Sequence, residues 1–158
     1  MKNTSCCFTG HRDIVPEKLP VIKEKLINII SDAIDRGYTD FYNGGAIGFD
    51  QLAAEAVLEL KREHPDIRLH IIVPCASQAY KWTCENRQKY ERVIACADEV
   101  KILSPFYFKG CMQIRNRYMA DASSLCIAYL NRTTGGTADT IKYAQKEMLE
   151  IINISDNL

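Results

Sequence analysis

Along this chain the apolar positions alternate between two periods, short unbroken runs and stripes at helical spacing. Thr4–Thr9 reads as a buried first strand that Gly10 stops. From Pro16 to Arg36, Leu19, Ile22, Leu26, Ile29, Ile30 and Ala33 fall on one side of a helix, and Gly37 stands in the C-cap position. Asp40–Asn43 is a short second strand, closed by Gly44 and Gly45. Gly48–Glu63 carries a second helical stripe of Leu52, Ala53, Ala56, Val57 and Leu60, followed by a His64-Pro65-Asp66 turn. Ile67–Val73 is a third strand ended by Pro74, and residues 77–96 read as one or two weakly amphipathic helical pieces. Glu99–Leu103 is a fourth strand, Ser104–Gly110 an aromatic loop, Met112–Ala122 a shorter helix and Ser124–Leu130 a fifth strand. Asn131–Thr134 is a loop that leads into a helix over Gly135–Glu147, and Glu150–Ile154 has the pattern of a sixth strand.

Apolar strands separated by helix-length segments indicate a parallel sheet with helices on both faces. The expected fold class is therefore α/β, a doubly wound Rossmann-like sandwich. No repeat, low-complexity tract or linker interrupts the pattern, so residues 1–158 are expected to form a single domain.

Composition narrows the function classes. Apolar residues make up 47% of the 158 and charged residues 25%, a globular balance. The 20 basic side chains equal the 20 acidic ones, which argues against nucleic acid as a partner, because phosphate-backbone binding draws on a basic surplus. No run approaches the ~20 apolar residues that span a bilayer, and no signal-peptide core is visible. The expected setting is soluble and cytoplasmic, with no membrane partner. Seven cysteines, an odd number without a C-x-x-C pair, suggest reduced and mostly buried thiols rather than disulfides, and no metal site is expected.

In open α/β sheets ligands bind beyond the carboxyl ends of the strands. The residues there are Thr9, Gly10, His11 and Arg12 after the first strand, then Asn43, Gly44, Gly45, Ala46, Gly48 and Asp50 after the second. Pro74 follows the third strand, and Thr134, Gly135, Gly136 and Thr137 follow the fifth. Glycines let an anion approach backbone N–H groups, and a following helix adds free donors and partial positive charge. Two such loops in one sheet point to a phosphate or nucleotide site. Arg12 supplies a fork suited to phosphate, and His11 a hydrogen-bond donor or an acid–base group. Asp50 can cap its helix or accept from a ribose hydroxyl. Arg115 and Asn116, near the start of a helix, either reach the pocket or belong to a solvated face. Trp82 either stacks on a base or packs internally.

The motifs T-G-H-R at Thr9–Arg12, N-G-G-A-x-G-x-D at Asn43–Asp50, K-W at Lys81-Trp82, R-N-x-x-M-x-D at Arg115–Asp121 and G-G-T-x-x-T at Gly135–Thr140 span the chain in order. Together they resemble the SLOG superfamily of Rossmann-like proteins, which includes the DprA/Smf proteins and the LOG phosphoribohydrolases, and within it the bacterial YpsA/YoqJ-like branch. The resemblance implies a nucleotide-derivative pocket built from these loops. It also implies a departure: where LOG-type hydrolases carry a catalytic glutamate after the last glycine loop, this chain has Thr140. A carboxylate stabilises the cationic transition state of N-glycosidic cleavage, so its loss argues against that hydrolysis unless Asp50 or Asp121 substitutes, with His11 as a further catalytic candidate.

Three functions compete at this point. The favoured one is a sensor or regulatory domain that binds a small-molecule nucleotide derivative and requires no cofactor. The alternatives are a nucleotide hydrolase and a scaffold that meets a protein partner, or forms a homo-oligomer, through the aromatic loop Phe106-Tyr107-Phe108.

Overall fold

A computed structural model describes residues 1–157, so residue 158 of the expected domain lies outside the described residues. Six strands alternate with five helices: β1 Ser5–Gly10, α1 Leu19–Asp35, β2 Asp40–Asn43, α2 Phe49–Lys61, β3 Arg68–Val73, α3 Cys84–Cys96, β4 Glu99–Ile102, α4 Cys111–Asp121, β5 Leu125–Tyr129, α5 Gly136–Lys146 and β6 Glu150–Asn153. All neighbouring strands pair in parallel, in the order β4-β3-β2-β1-β5-β6. The doubly wound Rossmann-like α/β fold read from the periodicity is the fold observed.

Strand alternation assigns side chains to two core layers. On β1, Cys6 and Phe8 point to the layer that holds α1, α2 and Val93 of α3, where Phe41, Leu69, Ile71 and Ile127 join them. Cys7 points the other way and meets Ile72, Cys126 and Ala128 under α4 and α5. Phe8 stacks on Phe41 at a centroid distance of 6.3 Å and meets Phe49 edge-on at 6.5 Å. Helix α1 buries Ile22, Leu26, Ile30 and Ala33, a stripe that recurs about every turn.

Two elements differ from their expected form. The helix expected over residues 77–96 begins only at Cys84. Thr83 is extended, and its hydroxyl accepts the Asn86 N–H, which fixes the helix start there. Residues before it turn through i→i−3 bonds at Gln78, Tyr80 and Trp82. Strand β4 is exposed at all four residues. Its Glu-Val-Lys-Ile alternation offers no apolar face to bury on both sides, and α3 buries only Val93.

At the amino ends of the strands, His70 ties β3 to both neighbours. Its ring bonds Asp40 Oδ1 at 2.7 Å and Glu99 Oε1 at 2.8 Å, and stacks on Tyr42 at 4.5 Å. All seven cysteines are free, and five of them (Cys6, Cys7, Cys75, Cys111 and Cys126) are buried. Among the described residues no helix is long and apolar enough to cross a membrane.

The aromatic cluster under β1 holds the sheet against α2. Phe8→Ala should destabilise the protein by about 3–5 kcal/mol in chemical denaturation, whereas Phe106→Ala, at a side chain 76% exposed, should change stability by less than about 0.5 kcal/mol. Equal losses would place the core elsewhere.

Candidate functional site

From β1 the chain winds outward to β4 on one side, then crosses to lay β5 against the other side of β1. The connections after β1 and β5 therefore leave the sheet in opposite directions, and a crevice opens between their carboxyl ends. Here it is a cleft of about 370 Å³. Thr9, Gly10, His11, Arg12 and Asp13 form one wall, and Arg132 with Thr134, Gly135, Gly136 and Thr137 forms the other. Ala46 and Asp50 contribute from the start of α2, Met112, Arg115 and Asn116 from α4, and Phe8 from the floor.

The two glycine loops do different jobs. In the loop after β2 the Gly45 and Ala46 backbone donors are engaged within the loop. Asn43 Oδ1 accepts the Gly45 N–H at 2.8 Å, and its Nδ2 donates to the Asp50 carbonyl at 2.8 Å. Asp50 Oδ2 accepts the Ala46 N–H at 3.2 Å, and the Phe49 N–H donates to the His11 carbonyl at 3.1 Å. The Gly44 carbonyl accepts from Arg115 Nη1 at 2.7 Å and from Gln78 Nε2 at 3.2 Å. Gly48 has φ 81°, and a Cβ there would stand 2.2 Å from the Arg12 carbonyl oxygen. This loop thus grips the β1 loop from behind.

The loop after β5 is open. Gly135 is the N-cap of α5 with φ 109°, and no side chain caps the helix. A Cβ built on Gly135 or Gly136 meets nothing within 4 Å. The first-turn N–H groups of a helix lack intrahelical partners and carry its partial positive charge, so this terminus can receive an anion.

His11 braces the two walls. Its Nε2 accepts the Asn131 N–H at 3.1 Å, which places the ring proton on Nδ1, and the ring meets Tyr129 edge-on. Burial, with the nearby Arg132 charge, pushes its pKa below the ordinary value of 6.5. The lone pair that a general base would use is occupied by the backbone. Arg12 is exposed and forms no ion pair among the described residues, whereas Arg132 pairs with Asp13.

Asp50 and Arg115 are a buried pair of opposite charges flanking Gly44. Burial raises the Asp50 carboxyl above its ordinary range, opposed by the Arg115 charge and the Ala46 N–H. Burial lowers Arg115, opposed by Asp50. Arg115 spends Nη1 on the Gly44 and Ile72 carbonyls and Nε on Asn116 Oδ1.

Eight other residues singled out in the sequence lie outside the lining. Asn43, Gly44 and Gly48 support it from behind. A Cβ on Gly45 would face Tyr90 and Ile71 at 3.1–3.2 Å, in the packed interior. Pro74 is buried after β3, and Trp82 packs edge-on against Tyr90 at 5.3 Å. Asp121 ends α4, ten residues from its start and so about 15 Å from the cleft end, and it accepts from the Tyr143 hydroxyl at 2.6 Å. Thr140 donates to the Gly136 carbonyl at 2.8 Å. The sequence reading missed Asp13 and Arg132, which a full count of the loops after β1 and β5 contains, and Met112 and Phe8, which carry no chemical signal.

With this geometry in hand, comparison with known proteins is informative. The profile of the YspA SLOG family matches residues 7–155. The SPbeta prophage-derived protein YoqJ of Bacillus subtilis is 33% identical over 141 residues, covering 81% of this chain and 82% of its own. A UPF0398 protein of Halalkalibacterium halodurans is 30% identical over 128 residues, covering 79% and 68%. Among solved structures, DNA processing protein A of Helicobacter pylori, described for its single-stranded DNA binding mode, superposes with a TM-score of 0.65 at 20% identity. DNA processing protein A (DprA) of Streptococcus pneumoniae gives 0.67 at 15% identity. These alignments cover 95% and 94% of this chain but only 64% and 49% of the two neighbours.

One expectation requires correction. Zero net charge argues against nucleic acid, a local basic patch aside, and favours a small-molecule partner, yet the same fold in the Helicobacter pylori protein is described for binding single-stranded DNA. Net charge averages over the whole surface, while a strand meets one face of it.

Two predictions follow from the His11 brace and the Gly48 contact. A histidine whose folded pKa is depressed takes up its proton first in the unfolded chain, so stability is lost as pH falls through 6.5. Tm measured from pH 7 down to pH 5 should fall more steeply for wild type than for His11→Gln, whose amide oxygen can accept the Asn131 N–H; parallel profiles would remove His11 from the acid response. Gly48→Ala should cost about 1–3 kcal/mol from backbone strain alone, with the Arg12 carbonyl clash added. Unchanged denaturation would contradict that close approach.

Proposed function

The chain belongs to the YspA SLOG family, and we propose that the cleft binds the phosphate and sugar of a nucleotide unit carried on a single-stranded nucleic acid. The observation that carries this reading is the uncapped start of α5, with open space over Gly135 and Gly136, in a cleft whose lining includes Arg12, which has no ion pair among the described residues. Backbone N–H groups and a guanidinium converging on one space suit a phosphate oxygen. Thr134 and Thr137 add hydroxyls on the same wall. The exposed aromatics Phe106 and Tyr107 precede α4 at the same end of the sheet, where successive bases can stack.

The role proposed is binding rather than turnover. Thr140, in the place of the LOG-type glutamate, is tied to its own helix, and Asp121 is at the far end of α4. His11 has its acceptor nitrogen engaged. Asp50 borders the cleft, but its Oδ2 accepts the Ala46 N–H and its charge is set against Arg115, so the carboxylate is already engaged within the fold.

The test is fluorescence anisotropy with labelled oligothymidylate across a salt series. Gly136→Val should keep the wild-type Tm, because its Cβ enters open space, and should weaken binding at least tenfold, about 1.4 kcal/mol, by filling the phosphate position. Full binding by a folded Gly136→Val protein would show that the phosphate site lies elsewhere.

A further inference from the structure

A second cavity of about 350 Å³ runs between α4 and α5, on the same face of the sheet. It begins where the cleft ends: Asn116 lines both. From there it follows α5 through Asp139, Lys142, Tyr143 and Lys146, with Arg117 on the α4 side. Asp139 to Lys146 is seven residues, so this stretch of groove is about 10 Å long.

Its charge is unlike that of the chain. Three cations, Arg117, Lys142 and Lys146, face one carboxylate, Asp139, in a protein whose formal charge is zero. None of the three forms an ion pair among the described residues, whereas Lys23, Arg36, Lys61 and Arg132 are all paired with carboxylates. Arg117 is instead laid over the Tyr143 ring at 5.1 Å, which holds its guanidinium along the groove wall. Two further acids act on Tyr143: Asp121, which is engaged by the Tyr143 hydroxyl at 2.6 Å, and Glu147 at the end of α5, outside the lining. The groove is therefore a local basic track of the kind that net charge conceals.

We infer that the α4–α5 groove is a second phosphate subsite, which receives the backbone of a single strand as it leaves the nucleotide held at the start of α5. The inference rests on the cleft reading proposed above, and adds to it a direction for the strand and the side chains that follow it. Lys142 and Lys146 supply charge one helical turn apart on one wall. Arg117 opposes them, and Asn116 marks the passage between the two subsites. Such contacts are sequence-independent, because they touch phosphate and not base edges.

The experiment compares dTMP with oligothymidylates of increasing length, for wild type and Lys142→Gln/Lys146→Gln, with Arg117→Gln as a separate variant. All three side chains are exposed, so Tm should be unchanged. Wild type should bind longer oligothymidylates more tightly than dTMP. The double variant should bind dTMP as wild type does, lose at least tenfold in affinity for the longer probes, and show a log K against log salt slope flatter by about 0.7 for each phosphate contact removed. Retention of the full length-dependent gain by the double variant would overturn the inference and leave the cleft reading standing. Oligothymidylate binding that ignores Gly136→Val but is lost in the double variant would overturn the cleft reading and, with it, the continuity inferred here. Failure of wild type to bind any of these probes would overturn both.

Discussion

The carbonyl oxygen of Arg12 and the Cα of Gly48 approach so closely that even a methyl group at position 48 would stand 2.2 Å from that oxygen. Much of the site depends on this contact. It lets the Phe49 N–H reach the His11 carbonyl, and so pins the β1 loop onto the first turn of α2. With the backbone of His11 fixed there, its ring is aimed across the crevice at the Asn131 N–H, and the β1 and β5 loops are held at a set separation. Gly10 contributes from the other side, because a Cβ there would enter the Phe49 ring. Backbone packing thus sets the width of the cleft, and the side chains that face a ligand are carried on it.

This arrangement explains what could be read from the residues alone and what could not. The strand and helix pattern was legible because the central strands bury side chains in two layers at period two and α1, α2 and α5 each bury an apolar stripe. The start of α3 was not, since the turns over residues 77–82 carry the same weak amphipathicity as the helix, and only the Thr83 cap separates them. The exposure of β4 was not legible, because Val100 and Ile102 alternate onto one face as they would in a half-buried strand, yet both are exposed. The candidate site was legible as a set of loops, because strand carboxyl ends gather ligands in this fold. The roles within it were not. The loop Asn43–Asp50 had the sharper glycine pattern, yet its polar groups largely bond to one another and to the β1 loop. The plainer loop Thr134–Thr137 has the open donors. Glycine in a sequence signals that backbone comes close to something; it does not say whether that is a phosphate or another stretch of chain.

The arginines divide along the same line. Arg115 opens the motif R-N-x-x-M-x-D and borders the cleft, but its Nη1 donors go to the Gly44 and Ile72 carbonyls. Its charge is set against Asp50, and both groups are driven by burial toward their neutral forms. A buried pair of this kind contributes position more than net stability, because desolvation offsets most of the attraction. Removing either member would leave the other's charge uncompensated under the β2 loop, so a loss of binding in an Arg115 variant would report a collapsed wall and not a lost ligand contact. Arg12 is exposed and unpaired, and is the guanidinium able to spend its charge on a ligand.

Charge that is already committed inside the fold does not act at its surface. Of the 20 basic side chains, five are paired with carboxylates among the described residues: Lys61 with Asp98, Arg36 with Glu150, Arg132 with Asp13, Lys89 with Glu85, and Lys23 with Glu55 and Glu59. A neutral total built this way can leave one face basic, because the unpaired cations need not be distributed like the unpaired acids. Arg12 at the cleft and Arg117, Lys142 and Lys146 along α4 and α5 lie on connected cavities. The field that a polyanion meets on approach is set by these free groups, within a Debye length of about 8–10 Å, and not by the sum over the chain. A net charge of zero therefore excludes general attraction to nucleic acid from a distance, while it leaves a short basic path able to hold a strand once it has arrived.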